Sequence, residues 1–106
     1  MNEFIKLLLS ELKRHLTEIY GERLKGVYLY GSFARNEQDE ESDVDVLIVL
    51  DQIENYSLEI EHTSKVVSEI SLKYGSTISR AFASEKQWLE EKTMFFLNVR
   101  EEAVGV

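Results

Sequence analysis

The sequence predicts an α+β fold, a small mixed β-sheet with helices packed on it, formed by residues 1–106 as a single domain. Three observations lead there. The apolar periodicity alternates between helical and strand spacing in the order helix, strand, strand, helix, strand, short helix, strand. The stretch "DVDVLIVL" is apolar on both faces from Val46 onward, as in a central strand covered on two sides. The chain has 106 residues, 43% of them hydrophobic and 30% charged, which suits one core and hardly two.

Phe4, Leu8, Leu12, Leu16 and Ile19 recur at spacings of three and four, describing an amphipathic first helix that ends near Gly21. "LKGVYLYG" follows as a strand, with Val27 and Leu29 facing one way and Tyr28 and Tyr30 the other. After a polar stretch over 36–42 comes "DVDVLIVL", whose polar end must open onto solvent or a cleft. Asn55 to Ser57 start a second helix carried by Leu58, Thr63, Val66, Val67, Ile70 and Tyr74 and stopped at Gly75. "STISRAFA" reads as a third strand, and Ser84 with Gln87 forms a capping box for a short helix containing Trp88 and Leu89. "MFFLNVREEAVGV" reads as a helical turn and then a short strand.

Composition narrows the function. A net charge of −8 opposes general attraction to nucleic-acid backbones, so direct nucleic-acid binding is not expected, and basic protein partners suit the balance better. The absence of cysteine excludes disulfides and thiolate zinc sites. No apolar run approaches the ~18 residues of a membrane span. The first residues also lack the basic segment and cleavage site of a signal peptide, so a cytoplasmic location is the expectation.

Asp43 and Asp45 carry the chemistry. With a strand period of two, their side chains project from one face, with α-carbons about 6.5–7 Å apart. Two carboxylates so placed repel unless a cation sits between them, and Mg2+ meets that need with oxygen ligands from protein, phosphate and water. The bland alternative is a strand end in solvent, where the repulsion is screened. Gly31 and Ser32 follow a strand and precede a possible helical turn, where free N–H groups and a hydroxyl hold phosphates, although G-S is also a common turn dipeptide. If the two strands are antiparallel neighbours, the turn and the carboxylates share one sheet edge.

Taken together these residues resemble the minimal nucleotidyltransferases of the DNA polymerase beta superfamily, whose pattern is G-S, ten residues, D-x-D. Gly31-Ser32, residues 33–42 and Asp43-Val44-Asp45 match it in full, and the preceding helix and "VYLYGS" agree. The resemblance implies the polymerase beta-like nucleotidyltransferase fold. Many such short proteins are antitoxins paired with a HEPN-domain RNase toxin, which they silence by moving AMP from ATP to a toxin tyrosine. It therefore implies ATP as co-substrate, Mg2+ as cofactor and a hetero-oligomer with a HEPN-type toxin. By position, Gly31 and Ser32 would hold the triphosphate, and Asp43 and Asp45 would act as metal-binding catalytic residues. Arg35 would contact phosphate or, alternatively, pair with Glu37, Asp39, Glu40 or Glu41.

The chain departs from the family at two places. Asn36 stands where glycine is common, a mild change because asparagine tolerates left-handed backbone. A third carboxylate expected on the next strand is missing: Ser79 and Ala81 lie in its place, leaving Glu85 or Arg80 as substitutes. That motivates a rival from another class, an antitoxin that neutralises by binding alone. A small-molecule nucleotidyltransferase is a third reading, opposed by the absence of sequence to build an acceptor pocket. His15 and His62 read as solvated side chains, and Phe82, Trp88, Phe95 and Phe96 as core rather than a nucleobase stack.

Overall fold

The computed structural model describes residues 2–106. Helix α1 spans Glu3–Tyr20, capped by Asn2, whose side-chain oxygen accepts the Ile5 N–H at 2.8 Å. Its buried stripe is Ile5, Leu8, Leu9, Leu12, Leu16 and Tyr20. The expected stripe is corrected at both ends: Phe4 and Ile19 are exposed, because two registers share Leu8, Leu12 and Leu16 and tertiary packing selects the one ending on Ile5 and Tyr20. Phe4 instead sets its ring edge-on against Tyr74 at 5.5 Å.

A single 3₁₀ turn over Gly21–Arg23 leads into β1, Leu24–Tyr30, which pairs antiparallel with β2, Val44–Leu50. Helix α2, Tyr56–Tyr74, is capped by Asn55 and ends on Gly75 in the left-handed region. It returns the chain to β3, Ile78–Ser84, which runs parallel to β2. Helix α3, Glu85–Glu90, starts with the expected capping box of Ser84 and Gln87. Helix α4, Met94–Glu102, is longer than the expected single turn, and β4, Val104–Gly105, pairs antiparallel with β1.

The sheet order is β3-β2-β1-β4, a mixed sheet with β3 at one edge. Val44, Val46, Ile48 and Leu50 face a core under α1 and α2, while Leu47 and Val49 face a smaller one under α3 and α4 with Ala83 and Val99. The two-faced apolar run of β2 is thus buried on both sides, as its sequence requires. Of the aromatic side chains expected in the core, Phe82 is buried, Trp88 and Phe96 pack half-buried on the smaller core, and Phe95 remains 43% exposed. Among the described residues no helix is long and apolar enough to cross a membrane.

Candidate active site

The antiparallel register brings Tyr30 opposite Asp45, so the chain leaving β1 at Gly31 passes directly beside the start of β2. The contact is close. Gly31 has φ +76, and a Cβ there would lie 2.3 Å from Asp45 Oδ2, so glycine is demanded both by backbone conformation and by the adjoining carboxylate.

Residues 31–37 then form one helical turn, with N–H of Arg35 donating to Gly31 O at 3.2 Å and N–H of Glu37 donating to Ser32 O at 2.9 Å. Asn36 closes it at φ 57, the left-handed position its side chain tolerates. Among the described residues, the N–H groups of Ser32, Phe33 and Ala34 have no hydrogen-bond partner, as at the start of any helical turn. N–H groups left free beside a hydroxyl, as here at Ser32, are of the kind that can accept an anion.

Asp45 is half-buried and Asp43 exposed. Burial, and then the Asp43 charge, hold Asp45 above the ordinary carboxylate range, while Arg35 pulls the other way and Glu102 adds to the rise. The same crowding reaches Tyr30, whose phenol is pushed up to about 12 by burial first and then by Asp45, Tyr56 and Glu102. Crowded negative charge of this kind is relieved by a cation. Among the described residues no group of three or more His, Cys, Asp or Glu is placed to hold a metal. The donor set therefore fits magnesium shared with a nucleotide, since that ion commonly takes one or two carboxylates plus phosphate oxygens and water.

Arg35 stands at this edge but is occupied. Its guanidinium donates to Glu102 at 2.6 Å and lies 3.5 Å from Glu37. The sequence points to Glu37 as a partner but not to Glu102, because 67 positions separate it from Arg35 and only the packing of α4 brings it across.

The substitutes for a third carboxylate do not reach the pair. Ser79 is the register partner of Asp45 on β3, so the adjacent position on that strand carries a hydroxymethyl group. Arg80 points to the opposite face, donating to Thr63 Oγ1, Ile60 O and Ser64 Oγ of α2. Glu85 is exposed in the first turn of α3, beyond the end of β3 and six residues past Ser79. His15 and His62 lie on the helices, each beside a glutamate, as side chains away from this edge.

A cradle of free N–H groups set against paired carboxylates is a geometry suited to handling a polyphosphate with a divalent cation. The chain belongs to the nucleotidyltransferase domain family, which it matches over residues 9–100. A protein of Methanocaldococcus jannaschii named "putative protein adenylyltransferase" is 33% identical over 103 residues, spanning 96% of this chain and 95% of its own. Another of the same name and organism is 40% identical over 72 residues, covering 68% of this chain and 72% of its own. Among solved structures, a toxin–antitoxin structure with AMP-PNP superposes with TM-score 0.63 at 17% identity, over 89% of this chain and 68% of that one. A "putative nucleotidyltransferase" from Sulfolobus solfataricus superposes with TM-score 0.59 at 19% identity, over 99% and 86% of the two chains. At these identities the solved structures establish the shared fold, and the family establishes a nucleotidyltransferase.

Proposed function

We propose that this nucleotidyltransferase is the antitoxin of a toxin–antitoxin pair and transfers AMP from ATP to a tyrosine of a HEPN-type RNase toxin. The observation that carries the reading is the contact of the Gly31 backbone with the Asp45 carboxylate, which joins the anion cradle and the acidic pair at one edge. The names of the relatives in Methanocaldococcus jannaschii and the toxin–antitoxin neighbour support the choice of a protein acceptor.

In this reading the N–H groups of Ser32 and its neighbours, with the Ser32 hydroxyl, bind the β- and γ-phosphates. Arg35 exchanges Glu102 for phosphate. Asp43 and Asp45 would hold magnesium. When bound, the ion supplies charge neutralisation at the α-phosphate and a template for in-line displacement. The protein's own contribution is to orient the triphosphate and to keep the acidic pair on one face.

Incubating the chain with α-labelled ATP, magnesium and its HEPN-type partner should label the partner, and the Asp43→Asn, Asp45→Asn double variant should not. Equal labelling by both, or none by the wild type, overturns the reading. Ser79 beside Asp45 favours a second one, neutralisation of the toxin by binding alone. Its signature is a double variant that still silences the toxin.

A further inference from the structure

On the edge of the sheet formed by β3, a cleft of about 780 Å³ runs to Ser84 at the end of that strand, with Tyr56, Ala81, Phe82, Phe95 and Phe96 among its walls. Asp43 and Asp45 are not among its walls, and Ala81 and Phe95 link it to them. Ala81 lies two residues beyond Ser79, the partner of Asp45, about 7 Å along the strand. The Phe95 ring stands edge-on to Tyr30 at 5.7 Å, and Tyr30 is opposite Asp45.

We propose that this aromatic cleft is the acceptor subsite, which receives the tyrosyl side chain of a protein partner and presents its hydroxyl to the α-phosphate. The inference rests on the transferase reading above and adds the place and residues at which the acceptor is recognised.

Sheet order supplies the main argument. The Gly31–Ser32 cradle continues β1, the carboxylates stand on the central strand β2, and the strand residues that wall the cleft, Ala81 and Phe82, belong to β3 on the other side of β2. In-line displacement at phosphorus puts the attacking and leaving oxygens on opposite sides. With the departing pyrophosphate held by the β1 cradle, the attacking hydroxyl enters from the β3 side. There the phenolic oxygen forms its bond to the α-phosphorus as the bond to the bridging oxygen breaks. The electron pair leaves with pyrophosphate, and the phenolic proton passes to solvent.

The cleft has the chemistry for such a guest. Phe95 stands edge-on to Phe96 at 5.2 Å and Tyr56 edge-on to Phe82 at 5.8 Å, an arrangement that can hold a further ring by the same geometry. The surrounding surface suits a protein carrier. Tyr56 and Leu58 at the start of α2, Leu89 on α3, and Met94, Phe95 and Leu97 on α4 are all exposed, with Met94 at 70% and Leu89 at 68%. Apolar side chains gathered on the elements around a cleft mark a partner surface. β3 is an edge strand, and at the cleft its Phe82 N–H donates to the Tyr56 hydroxyl at 3.0 Å.

The test titrates N-acetyltyrosinamide and AMP-PNP separately into the isotope-labelled full chain and follows its amide resonances. N-acetyltyrosinamide should shift Ala81, Phe95 and Phe96, and AMP-PNP should shift Gly31 to Arg35. Phe95→Ala should weaken N-acetyltyrosinamide at least about fivefold while leaving AMP-PNP affinity within about twofold. In the transfer assay it should raise KM for the partner and not for ATP. If AMP-PNP shifts the cleft residues and Phe95→Ala weakens it instead, the cleft holds the nucleobase and the inference fails. Absence of any shift in the cleft with N-acetyltyrosinamide also overturns it. Failure of AMP-PNP to shift Gly31 to Arg35 overturns the transferase reading itself.

Discussion

Gly31 presents its backbone so closely to Asp45 that a single methyl group at residue 31 would stand 2.3 Å from the carboxylate oxygen Oδ2. The contact ties the start of the anion cradle to the acidic pair, so that moving one moves the other. Gly31→Ala should therefore do two separable things. The left-handed backbone costs about 1–2 kcal/mol of stability, read as a lower urea midpoint. The displaced carboxylate should lower AMP transfer about a hundredfold, as expected for a misplacement on the order of 1 Å. Full activity in a stably folded Gly31→Ala protein would refute the coupling.

The acidic pair should show opposite effects on stability and chemistry. Asp45 is half-buried beside Asp43 and near Glu102, so without a cation its charge is unfavourable in the fold. Asp45→Asn removes that repulsion and should raise the melting temperature at neutral pH in the absence of magnesium and ATP. The same substitution should lower transfer roughly a thousandfold, the several kcal/mol that divalent-ion charge stabilisation provides. Calorimetry and the labelling assay on one preparation read both. A less stable Asp45→Asn protein would show that the carboxylate serves the fold.

Why part of this was legible beforehand is clear from individual residues. The run Val46 to Leu50 can only be satisfied between two cores, and Asn36 adopts the left-handed conformation that its residue type permits, at φ 57. Such features are local. The spacing from Gly31-Ser32 to Asp43 and Asp45 carries the site because the two strands are joined by a short connection, so their register follows from nearby sequence. The Glu102 contact to Arg35 depends on where α4 settles after the whole sheet has formed, which no spacing encodes. The same holds for Arg80, whose strand position sets its face only once β3 is placed against β2. The ends of the α1 stripe were ambiguous because Phe4 and Ile5 both continue the Leu8, Leu12, Leu16 row.

The Arg35–Glu102 pair predicts a measurable exchange. Arg35 is 44% exposed and Glu102 20%, so solvent screens the pair and it adds little to the stability of the fold. Its larger effect is on ligand binding, since Glu102 competes with phosphate for the guanidinium. Glu102→Gln should tighten ATP binding about two- to tenfold by calorimetric titration, with little change in urea midpoint. In an Arg35→Met background that gain should shrink, which distinguishes release of Arg35 from simple loss of a negative charge. An unchanged gain in that background would leave Arg35 without a phosphate role.

Away from the site, Glu59 is a buried carboxylate that accepts hydrogen bonds from Tyr20 at 2.9 Å and Arg23 at 3.0 Å, linking α2 to α1 and to the turn before β1. Burial pushes its pKa up, but the bonds from Arg23 and Tyr20 outweigh it and hold the group below the ordinary value of 4.5. A carboxyl group with a lower pKa in the fold than in the unfolded chain stabilises the fold fully above the unfolded value. The contribution is lost as pH falls through the folded one, where the unfolded chain binds more protons. Glu59→Ala leaves the Tyr20 hydroxyl and the partly exposed Arg23 without that partner and should cost about 3 kcal/mol at pH 7, the low end of the range for breaking a buried pair. Glu59→Gln should flatten the loss of stability below about pH 4.5 relative to wild type, measured as urea midpoints across an acid series. Parallel acid limbs in wild type and Glu59→Gln would assign acid sensitivity to other carboxylates.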